Sequence, residues 1–192
     1  MIRVLLIGDT HIPDRAEAIP RPLLEYIENL KPWDIVGFTG DLTSEEILEW
    51  TRSLGRQVYV VRGNMDYLPL PKHSIFNIGD IVFGITHGDG VYPRGDIVKL
   101  SRQAQELGVQ VFMTGHTHRD FVKIGTGGKT LLLNPGSLTG VWGGGGGSYT
   151  PSLIELEVEE YKILVKTIRL ERGELKTTIN HAELHEYTWI LK

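Results

Sequence analysis

The chain of 192 residues contains no cysteine, so it has neither a disulfide framework nor a thiolate ligand for a metal. Any metal ion must therefore be held by carboxylate, imidazole or amide groups. No apolar stretch is long enough for a signal peptide or a membrane span, so we expect a cytoplasmic protein without a membrane partner. A basic surplus is also missing, since the formal net charge is −4. This argues against nucleic acid as a partner but does not exclude it.

Strand-like and helix-like segments alternate in the first half of the chain. Predicted strands are IRVLLI, DIVGFT and QVYVV, and predicted helices are RAEAIPRPLLEYIENLK and SEEILEWTRSLG. Ser44 is the expected N-cap of the second helix and Gly55 its expected end. This βαβαβ order predicts parallel strands joined by right-handed crossovers.

The second half has a different pattern. SIFNIGDIVFGITHG predicts two strands with a turn at Gly79-Asp80, GDIVKLSRQAQELG a third helix and VQVFMT a strand. From Thr130 onward, TLLLN, SLIELEVE, YKILVKTIRL and GELKTTI predict antiparallel strands, and a helix-length pattern returns only in the last dozen residues. We therefore expect a single α/β domain over residues 1–192. Its predicted architecture is a four-layer α/β/β/α sandwich of two mixed sheets flanked by helices, the first sheet being mostly parallel.

Polar side chains follow five strand-like segments, at the point where each segment ends. They are Asp9, His11, Asp41, Asn64, Asp66, His87, His116 and His118. Ligand sites in α/β sheets form outside the carboxyl ends of strands, so we expect these side chains to meet at one edge. A single strand-end aspartate is most often a helix cap, and a single histidine, such as His73, is most often a surface residue. Four histidines and two aspartates in this pattern predict a metal site.

Glycines stand just before these polar residues, and we interpret them as tight backbone turns. They are Gly8, Gly40, Gly63 and Gly115. Oxygen and imidazole ligands suit Mn, Fe, Zn, Co or Ni better than Mg or Ca alone, and Mn is the favoured candidate. Seven candidate ligands are too many for one ion, so the pattern implies two divalent ions sharing a bridge. Two ions ~3.5–4 Å apart are a standard device for hydrolysing phosphate esters.

The motifs GDTH, GDL, GNMD, THG and GHTH together resemble the calcineurin-like metallophosphoesterase superfamily over residues 1–137. The short length, DTHIPDRA and NPGS (residues 134–137) are similar to its compact branch. That branch includes bacterial and archaeal phosphodiesterases and the phosphoesterase-fold subunit of the eukaryotic retromer. The resemblance implies a hydrolase that uses a metal-bridging hydroxide as nucleophile and a small phosphodiester as substrate.

The same resemblance implies a ligand set by position in the motifs. The first metal would be held by Asp9, His11, Asp41 and His118. The second would be held by Asp41, Asn64, His87 and His116, with Asp41 as the bridge. Such a site has a net positive charge, which attracts a phosphate oxygen. Asn64 and Asp66 are the candidate catalytic residues. Asp66 would act indirectly, by contacting the residues that bind the metals.

The sequence departs from the family pattern at Met65. Many members have a histidine there that protonates the leaving group, and the aspartate beside it, here Asp66, orients that histidine. A methionine cannot donate a proton, and a general acid typically contributes ~10²–10⁴-fold. We therefore predict good rates only for substrates with acidic leaving groups.

Two segments leave two interpretations open. Asp89 stands where compact relatives often have a histidine. It either faces the metals, which would favour monoanionic diesters over dianionic monoesters, or points into solvent. The five glycines Gly143–Gly147 have no side chains to pack. We expect a surface loop there, and the alternative is a mobile loop near the site.

Three further features are not assigned to the metal site. His181 and His185 have the spacing of a zinc pair on a helix but lack the glutamate directly after the first histidine. Gly125–Lys129 has the wrong spacing for a phosphate loop and predicts a hairpin turn. Arg15 follows the first motif and either contacts phosphate or, more commonly for such an arginine, pairs with carboxylates.

The alternative function is a protein-interaction scaffold with a non-catalytic metal site, as in the retromer subunit. Its binding surface would be apolar, and the candidate aromatic residues are Tyr92, Trp142, Tyr149 and Trp189. A scaffold would tolerate the loss of ligands, whereas this chain has the whole set, which favours an enzyme. The sequence leaves a homo-oligomer open.

Overall fold

Alternating apolar side chains of the first strand point to two different layers of the molecule. Val4 and Leu6 pack in one hydrophobic core, whereas Leu5 and Ile7 pack in another, as the period-2 geometry of a strand requires.

The computed structural model describes all 192 residues and contains twelve strands and three helices. In chain order these are β1 (Ile2–Ile7), α1 (Arg21–Leu30), β2 (Trp33–Phe38), α2 (Glu45–Ser53), β3 (Gly55–Val60), β4 (His73–Ile78), β5 (Ile81–Thr86), α3 (Ile97–Glu106), β6 (Val111–Met113), β7 (Asp120–Ile124), β8 (Leu131–Pro135), β9 (Ser152–Glu159), β10 (Lys162–Glu171), β11 (Glu174–His185) and β12 (Thr188–Leu191).

The strands form two mixed sheets. The seven-stranded sheet has the order β12-β11-β10-β9-β1-β2-β3, and the five-stranded sheet has the order β4-β5-β6-β8-β7. In the first sheet β1, β2 and β3 are parallel, and the C-terminal strands are added antiparallel beside β1. In the second sheet β5, β6 and β8 are parallel, and antiparallel β4 and β7 close the two edges.

Three hydrophobic cores separate four layers. The central core lies between the sheets and joins Val4 and Leu6 to Phe83 and Met113. A second core packs helices α1 and α2 on the outer face of the seven-stranded sheet, and a third packs α3 on the outer face of the five-stranded sheet. The predicted α/β/β/α sandwich of two mixed sheets is confirmed. None of the three helices is both long and apolar enough to cross a bilayer.

Helix starts and turns follow local chemistry. Ser44 caps α2 by accepting a hydrogen bond from the amide of Ile47 at 3.3 Å, as predicted, but the helix ends at Ser53 and Gly55 already begins β3. Helix α1 begins only at Arg21, six residues after the start of the predicted segment, with a proline in its first turn. Proline is tolerated at that position because its missing N–H would have no helical partner.

Three predictions about the sheets are wrong. The first sheet is not mostly parallel, because four C-terminal strands join it antiparallel. Strand β8 pairs parallel with β6, and its antiparallel partner β7 was not predicted. The last dozen residues form strand rather than helix, since they continue β11 and add β12. His181 and His185 therefore lie exposed on a strand, and Trp189 is 2% exposed in the central core rather than on an apolar surface.

Candidate metal centre

Backbone hydrogen bonds between neighbouring loops align the strand ends that carry the polar residues. The amide of Asp9 donates to the carbonyl of Gly40 at 2.9 Å, and the amide of His11 donates to the carbonyl of Asp41 at 3.0 Å. Across the two sheets, the amide of His116 donates to Oδ2 of Asp9 at 3.1 Å. These bonds bring the carboxyl ends of parallel strands from both sheets to one edge of the sandwich.

All seven predicted ligands meet at that edge, in two overlapping groups. Within each group the ligand atoms lie within 4.8 Å of one another. The first group is Asp9, His11, Asp41 and His118, and the second is Asp41, His87 and His116. Asn64 joins the second group, because its Oδ1 lies 3.1 Å from Nε2 of His87. Most of these side chains are buried, and Asp41 belongs to both groups.

The carboxylate of Asp41 lies between the two groups. Its Oδ2 is 3.4 Å from Nε2 of His11 and 3.3 Å from Nε2 of His87. Its Oδ1 accepts a hydrogen bond from the amide of Met65 at 2.8 Å. Burial pushes the pKa of Asp41 upward, but the contacts with His87, the amide of Met65 and His11 together outweigh burial and lower that pKa to about 2. Asp41 is therefore an anion at any physiological pH, with Oδ2 available to a cation on either side.

The donor set fits divalent metal ions. Oδ1 of Asp9 is buried and has no hydrogen-bond partner, and a buried carboxylate oxygen in that state is costly unless a cation neutralises it. The Nε2 atoms of His11 and His118 lie 3.2 Å apart. Two unprotonated Nε2 atoms cannot form a hydrogen bond with each other, because neither carries a proton to donate. A metal cation can bind the lone pairs of both.

Two of the histidines are held by carbonyl groups on their far side. Nδ1 of His87 lies 2.8 Å from the carbonyl of Thr39, and Nδ1 of His118 lies 2.8 Å from the carbonyl of Val141. A carbonyl only accepts, so each Nδ1 carries a proton, and in its neutral form each ring presents the Nε2 lone pair to a metal. Metal-binding histidines in proteins are typically oriented in this way.

The four histidines differ in their affinity for protons. Burial lowers the pKa of His11 to about 4, so this ring is neutral and ready to bind a metal. Burial also disfavours the charged ring of His87, but Asp41 and Asp9 outweigh it and raise the pKa of His87 to about 9. The pKa of His116 is lowered by burial and by the charge of His87. Burial opposes the charged form of His118, yet its contact with Asp9 raises that pKa.

The backbone is left-handed at five of the seven candidate ligands. The φ angles are 49° at Asp9, 48° at His11, 58° at Asp41, 68° at His116 and 52° at His118. Residues other than glycine rarely adopt this region, although aspartate and histidine do so more often than most. Strained backbone of this kind concentrates at functional sites, where the surrounding structure imposes it.

Three of the four strand-end glycines also serve close packing, and the predicted tight turns begin at Gly63 and Gly115, whose carbonyls accept from the amides of Asp66 at 3.3 Å and Thr117 at 2.8 Å. Only Gly40 has a left-handed φ, of 99°. A β-carbon at Gly63 would lie 2.1 Å from Oδ1 of Asp41. One at Gly115 would lie 2.9 Å from Oδ2 of Asp9. Glycine there lets backbone approach the ligand carboxylates directly.

Asp66 contacts backbone around the centre. Its carboxylate accepts hydrogen bonds from the amides of Asp41 at 2.8 Å, Gly63 at 2.8 Å and Thr43 at 2.9 Å. Burial raises the pKa of Asp66, and the three hydrogen bonds oppose that rise. Both carboxylate oxygens are used, so Asp66 holds the loop that carries Asp41. Its neighbour Met65 leaves its side chain 41% exposed.

Two residues of the NPGS segment, for which the sequence predicted no role, lie behind the centre. Nδ2 of Asn134 donates to the carbonyl of Gly115 at 2.9 Å and to Oγ1 of Thr117 at 3.1 Å. Oγ of Ser137 donates to the carbonyl of Asp9 at 2.7 Å. Asn134 lies near the end of β8 and Ser137 just after it, and a polar residue at the end of a buried apolar run is the signal that could have identified them.

The glycine loop, Gly143–Gly147, lies at the surface, as expected, and also against the metal centre, whereas its mobility stays a prediction. A β-carbon at Gly143 would lie 2.2 Å from Cγ of His118, and the amide of Ser148 donates to the carbonyl of His118 at 2.9 Å. Three consecutive carbonyls at the start of the loop accept side-chain donors. The pairs are Val141 with His118, Trp142 with Arg15, and Gly143 with Arg94.

Arg15 thus contacts the loop rather than a carboxylate. It donates to the carbonyl of Trp142 at 2.9 Å, and its guanidinium lies 5.6 Å from the centre of the Trp142 ring. The expected pairing of Arg15 with carboxylates is wrong, because loop carbonyls occupy it instead.

Asp89 lines a polar cavity of about 370 Å³ beside the second ligand group. The cavity also contacts Asn64, Arg62 and Lys72, and it has no hydrophobic lining residue. Asp89 itself is exposed to solvent. The exposure of Asp89 agrees with the interpretation that it points into solvent, and an orientation toward the metals stays a prediction.

Comparison with known proteins gives three findings beside the geometry. A model of the calcineurin-like phosphoesterase superfamily domain matches residues 2–159. The chain is similar to a probable metallophosphoesterase of Methanocaldococcus jannaschii, with 46% identity over 134 residues, 70% of this chain and 67% of that protein.

Solved structures resemble the chain over nearly its whole length. The crystal structure of Vps29 from Entamoeba histolytica complexed with Zn²⁺ is 32% identical, with a TM-score of 0.85, and covers 94% of this chain and 99% of that chain. Vps29 from Chaetomium thermophilum, complexed with a cyclic peptide, is 25% identical, with a TM-score of 0.76, over 97% of each chain.

Proposed function

The chain belongs to the calcineurin-like phosphoesterase superfamily, and on this premise we propose that it is a dinuclear metal-dependent phosphodiesterase. Its relatives are named probable metallophosphoesterases, which supports a hydrolase. The proposed cofactor is a pair of divalent ions, with Mn favoured over Fe, Zn, Co or Ni. The proposed substrate is a small phosphodiester.

The shared position of Asp41 is the observation that carries this proposal. One carboxylate oxygen lies at nearly equal distances from a histidine of each ligand group, 3.4 Å from His11 and 3.3 Å from His87. A site for a single ion would need only one of the two ligand groups that share this carboxylate. Two ions bridged by Asp41 would use all seven side chains.

When bound, the two ions would polarise the phosphoryl oxygens and acidify the water that attacks phosphorus. The protein itself contributes by holding the candidate ligands in position. Met65 holds the bridging carboxylate through its amide, and Asp66 holds the backbone on which Asp41 lies. Thr39 and Val141 orient the rings of His87 and His118. The amide oxygen of Asn64 is neutral, so it adds a ligand without reducing the positive charge that attracts substrate.

Two side chains favour diesters with acidic leaving groups. Asp89 places a carboxylate on the wall of the cavity that contacts Asn64, where it offsets the attraction of Arg62 and Lys72 for a dianionic monoester more than for a monoanionic diester. Met65 occupies the position of a general acid without a proton to donate. The leaving group must therefore depart unprotonated or take a proton from water.

Metal content and hydrolysis measured on the same samples test the proposal. The protein is stripped with a chelator, reloaded with Mn and assayed with bis(p-nitrophenyl) phosphate and p-nitrophenyl phosphate. We expect about two ions per chain and faster turnover of the diester. Asp41→Asn should lower bound metal and reduce diester hydrolysis by ~10²-fold or more, because it removes the bridging anion.

Asp14→Asn is the matched control, since Asp14 is exposed and belongs to neither ligand group. It should keep both the metal content and the activity of the unaltered protein. Turnover that persists in the stripped protein, or an Asp41→Asn variant with full metal content and full activity, would rule out the proposed centre.

The whole-chain likeness to Vps29 structures favours a second candidate, a protein-interaction scaffold. One of these neighbours is a complex with a cyclic peptide, so its surface binds peptide. Trp142 and Tyr149 are exposed here and would be the aromatic contacts of such a surface. A scaffold would have no turnover with any metal, and its peptide binding would be unaffected by Asp41→Asn.

A further inference from the structure

A second cavity, of about 560 Å³, shares no lining residue with the cavity of Asp89 and is lined by cations. We call it the cationic cavity. Its walls are the loop before α3, the turn that carries His116 and His118, strand β7 and the glycine loop. Arg94, Arg119 and Lys123 line it, and no acidic residue does.

Strand β7 gives the cationic cavity one ordered wall. Arg119, Phe121 and Lys123 are two residues apart along the strand and its entry, so their side chains lie on one face. The ammonium group of Lys123 lies 5.8 Å from the centre of the Phe121 ring. Cations that alternate with an aromatic residue are typical of surfaces that bind nucleotide chains.

The positive charge of this cavity is not neutralised by the protein. None of the three cations takes part in an ion pair of the structure. Asp120, which lies between Arg119 and Phe121 in the chain, points to the opposite face of β7 and pairs with Arg169 there. This local excess of cations contrasts with the net charge of −4 for the whole chain.

The cationic cavity begins one residue away from the metal centre. Thr117 lines it and stands between the candidate ligands His116 and His118. Asn134 holds Thr117 through a hydrogen bond of 3.1 Å to Oγ1, so this wall is ordered. On the opposite wall, Arg94 donates to the carbonyl of Gly143 in the glycine loop. The cavity therefore borders the turn that carries two of the candidate ligands.

We propose that the cationic cavity binds a second phosphate of the substrate, separated from the reacting phosphodiester by one nucleoside. The inference rests on the proposed phosphodiesterase function, for which it names a substrate class, nucleotides phosphorylated at both the 3′ and 5′ positions. Guanidinium and ammonium groups bind phosphate through charge-assisted hydrogen bonds. The ring of Tyr92 is 81% exposed at the rim and offers a face on which a base can stack.

Equilibrium binding tests the inference without any turnover. The probes are thymidine 3′,5′-bisphosphate and thymidine 3′-monophosphate, titrated into the Mn-loaded protein. We expect the bisphosphate to bind about tenfold more tightly at low ionic strength, because it alone reaches the cavity cations. The double variant Arg119→Gln/Lys123→Gln should reduce this ratio to about twofold or less. The side chains of Arg119 and Lys123 make no hydrogen bond that the fold would lose.

Arg56→Gln/Lys129→Gln is the matched control, because it removes the same two charges at exposed positions outside the cavity. It should leave the tenfold ratio intact. A bisphosphate that binds no more tightly than the monophosphate overturns the inference. So does a ratio that the cavity variant and the control variant reduce equally, since this would reflect net charge alone.

Hydrolysis separates the inference from the function on which it rests. Thymidine 3′-(p-nitrophenyl phosphate) is compared with the same compound carrying a 5′-phosphate, so that the leaving group is identical. We expect a lower KM and a similar kcat for the phosphorylated compound, and loss of this KM difference in the cavity variant. If the bisphosphate binding ratio holds but neither ester is hydrolysed, the binding site is supported and the phosphodiesterase function fails. If both esters react with equal KM, the function stands and the cavity has no role.

Discussion

The amide of Met65 donates to Oδ1 of Asp41 over 2.8 Å, while the side chain of the same methionine is 41% exposed. The backbone of Met65 therefore serves the bridging ligand, and its side chain is free to vary without disturbing that bond. This separation makes position 65 the natural place to alter the chemistry of the centre while keeping its ligands.

Met65→His should add a proton donor at the rim of the site. Because a general acid helps a poor leaving group most, we expect activity on a dialkyl phosphate diester, which must release an alcohol, to rise by ~10-fold or more. Release of nitrophenol should change little. Steady-state rates for both reactions give the comparison, and Met65→Leu serves as the control of similar volume. An equal gain for both leaving groups would contradict a proton-donor role at this position.

Asp66→Asn should destabilise the folded chain by about 2 kcal/mol, because an amide cannot accept three backbone N–H groups as a carboxylate does. The free energy of unfolding is measured by urea denaturation of metal-free protein. Asp89→Asn is a suitable control, since Asp89 is exposed and holds no backbone group. We also expect weaker metal binding in Asp66→Asn, since the loop that carries Asp41 is released. A variant with unchanged stability would show that these bonds are replaced by water.

Gly143→Ala should disturb the first ligand group, because the added β-carbon would lie 2.2 Å from the ring of His118. The ring or the loop must move, and we expect metal affinity to fall by ~10-fold or more. Gly145→Ala is the matched control in the same loop, since nothing lies within 4 Å of its β-carbon. Isothermal titration with Mn compares the two variants. Equal affinities would mean that the loop can move away from His118 freely.

Metal affinity should rise with pH between about 7 and 9. In the metal-free protein the pKa of His87 is raised to about 9, so at neutral pH a proton occupies the ring and must leave when a metal binds. Each pH unit below that pKa should weaken binding by ~10-fold, and the dependence should level off above it. Titrations in buffers of different ionisation enthalpy count the released protons.

Two substitutions identify the source of this pH dependence. His87→Asn removes the titrating ring but keeps a neutral oxygen donor, so the slope of affinity against pH should flatten. His73→Asn removes a histidine that belongs to neither ligand group, and its slope should match that of the unaltered protein. A steep slope that survives His87→Asn would assign the proton to another group.

The candidate ligands could be predicted from sequence because their signal is local. Each follows a buried run, and strands of one parallel set end at the same edge, so Asp9 and Asp41 were expected to meet. The supports of the centre could not be predicted in this way. Nothing in five glycines indicates that Gly143 packs on His118, and Thr39 holds His87 through a backbone carbonyl that every residue possesses.

The errors in the fold arose where pairing between strands overrides local preference. The segment HAELHEYTWILK has residues that favour helices, yet β11 pairs with β10 over ten residues and continues through it. Strand β7 was missed because DFVKI is short and begins directly after the histidine turn. Its place at the edge depends on pairing with β8, which the local sequence does not specify.

The left-handed backbone at five candidate ligands also affects which substitutions the sequence can accept during evolution. Selection for stability alone would replace Asp9, His11, Asp41, His116 and His118 by glycine or asparagine, which adopt that conformation with less strain. Aspartate and histidine at such positions therefore carry a cost in backbone strain that only selection for metal binding would maintain. A descendant released from that selection should drift first at these residues, while the core and the sheet edges stay as they are.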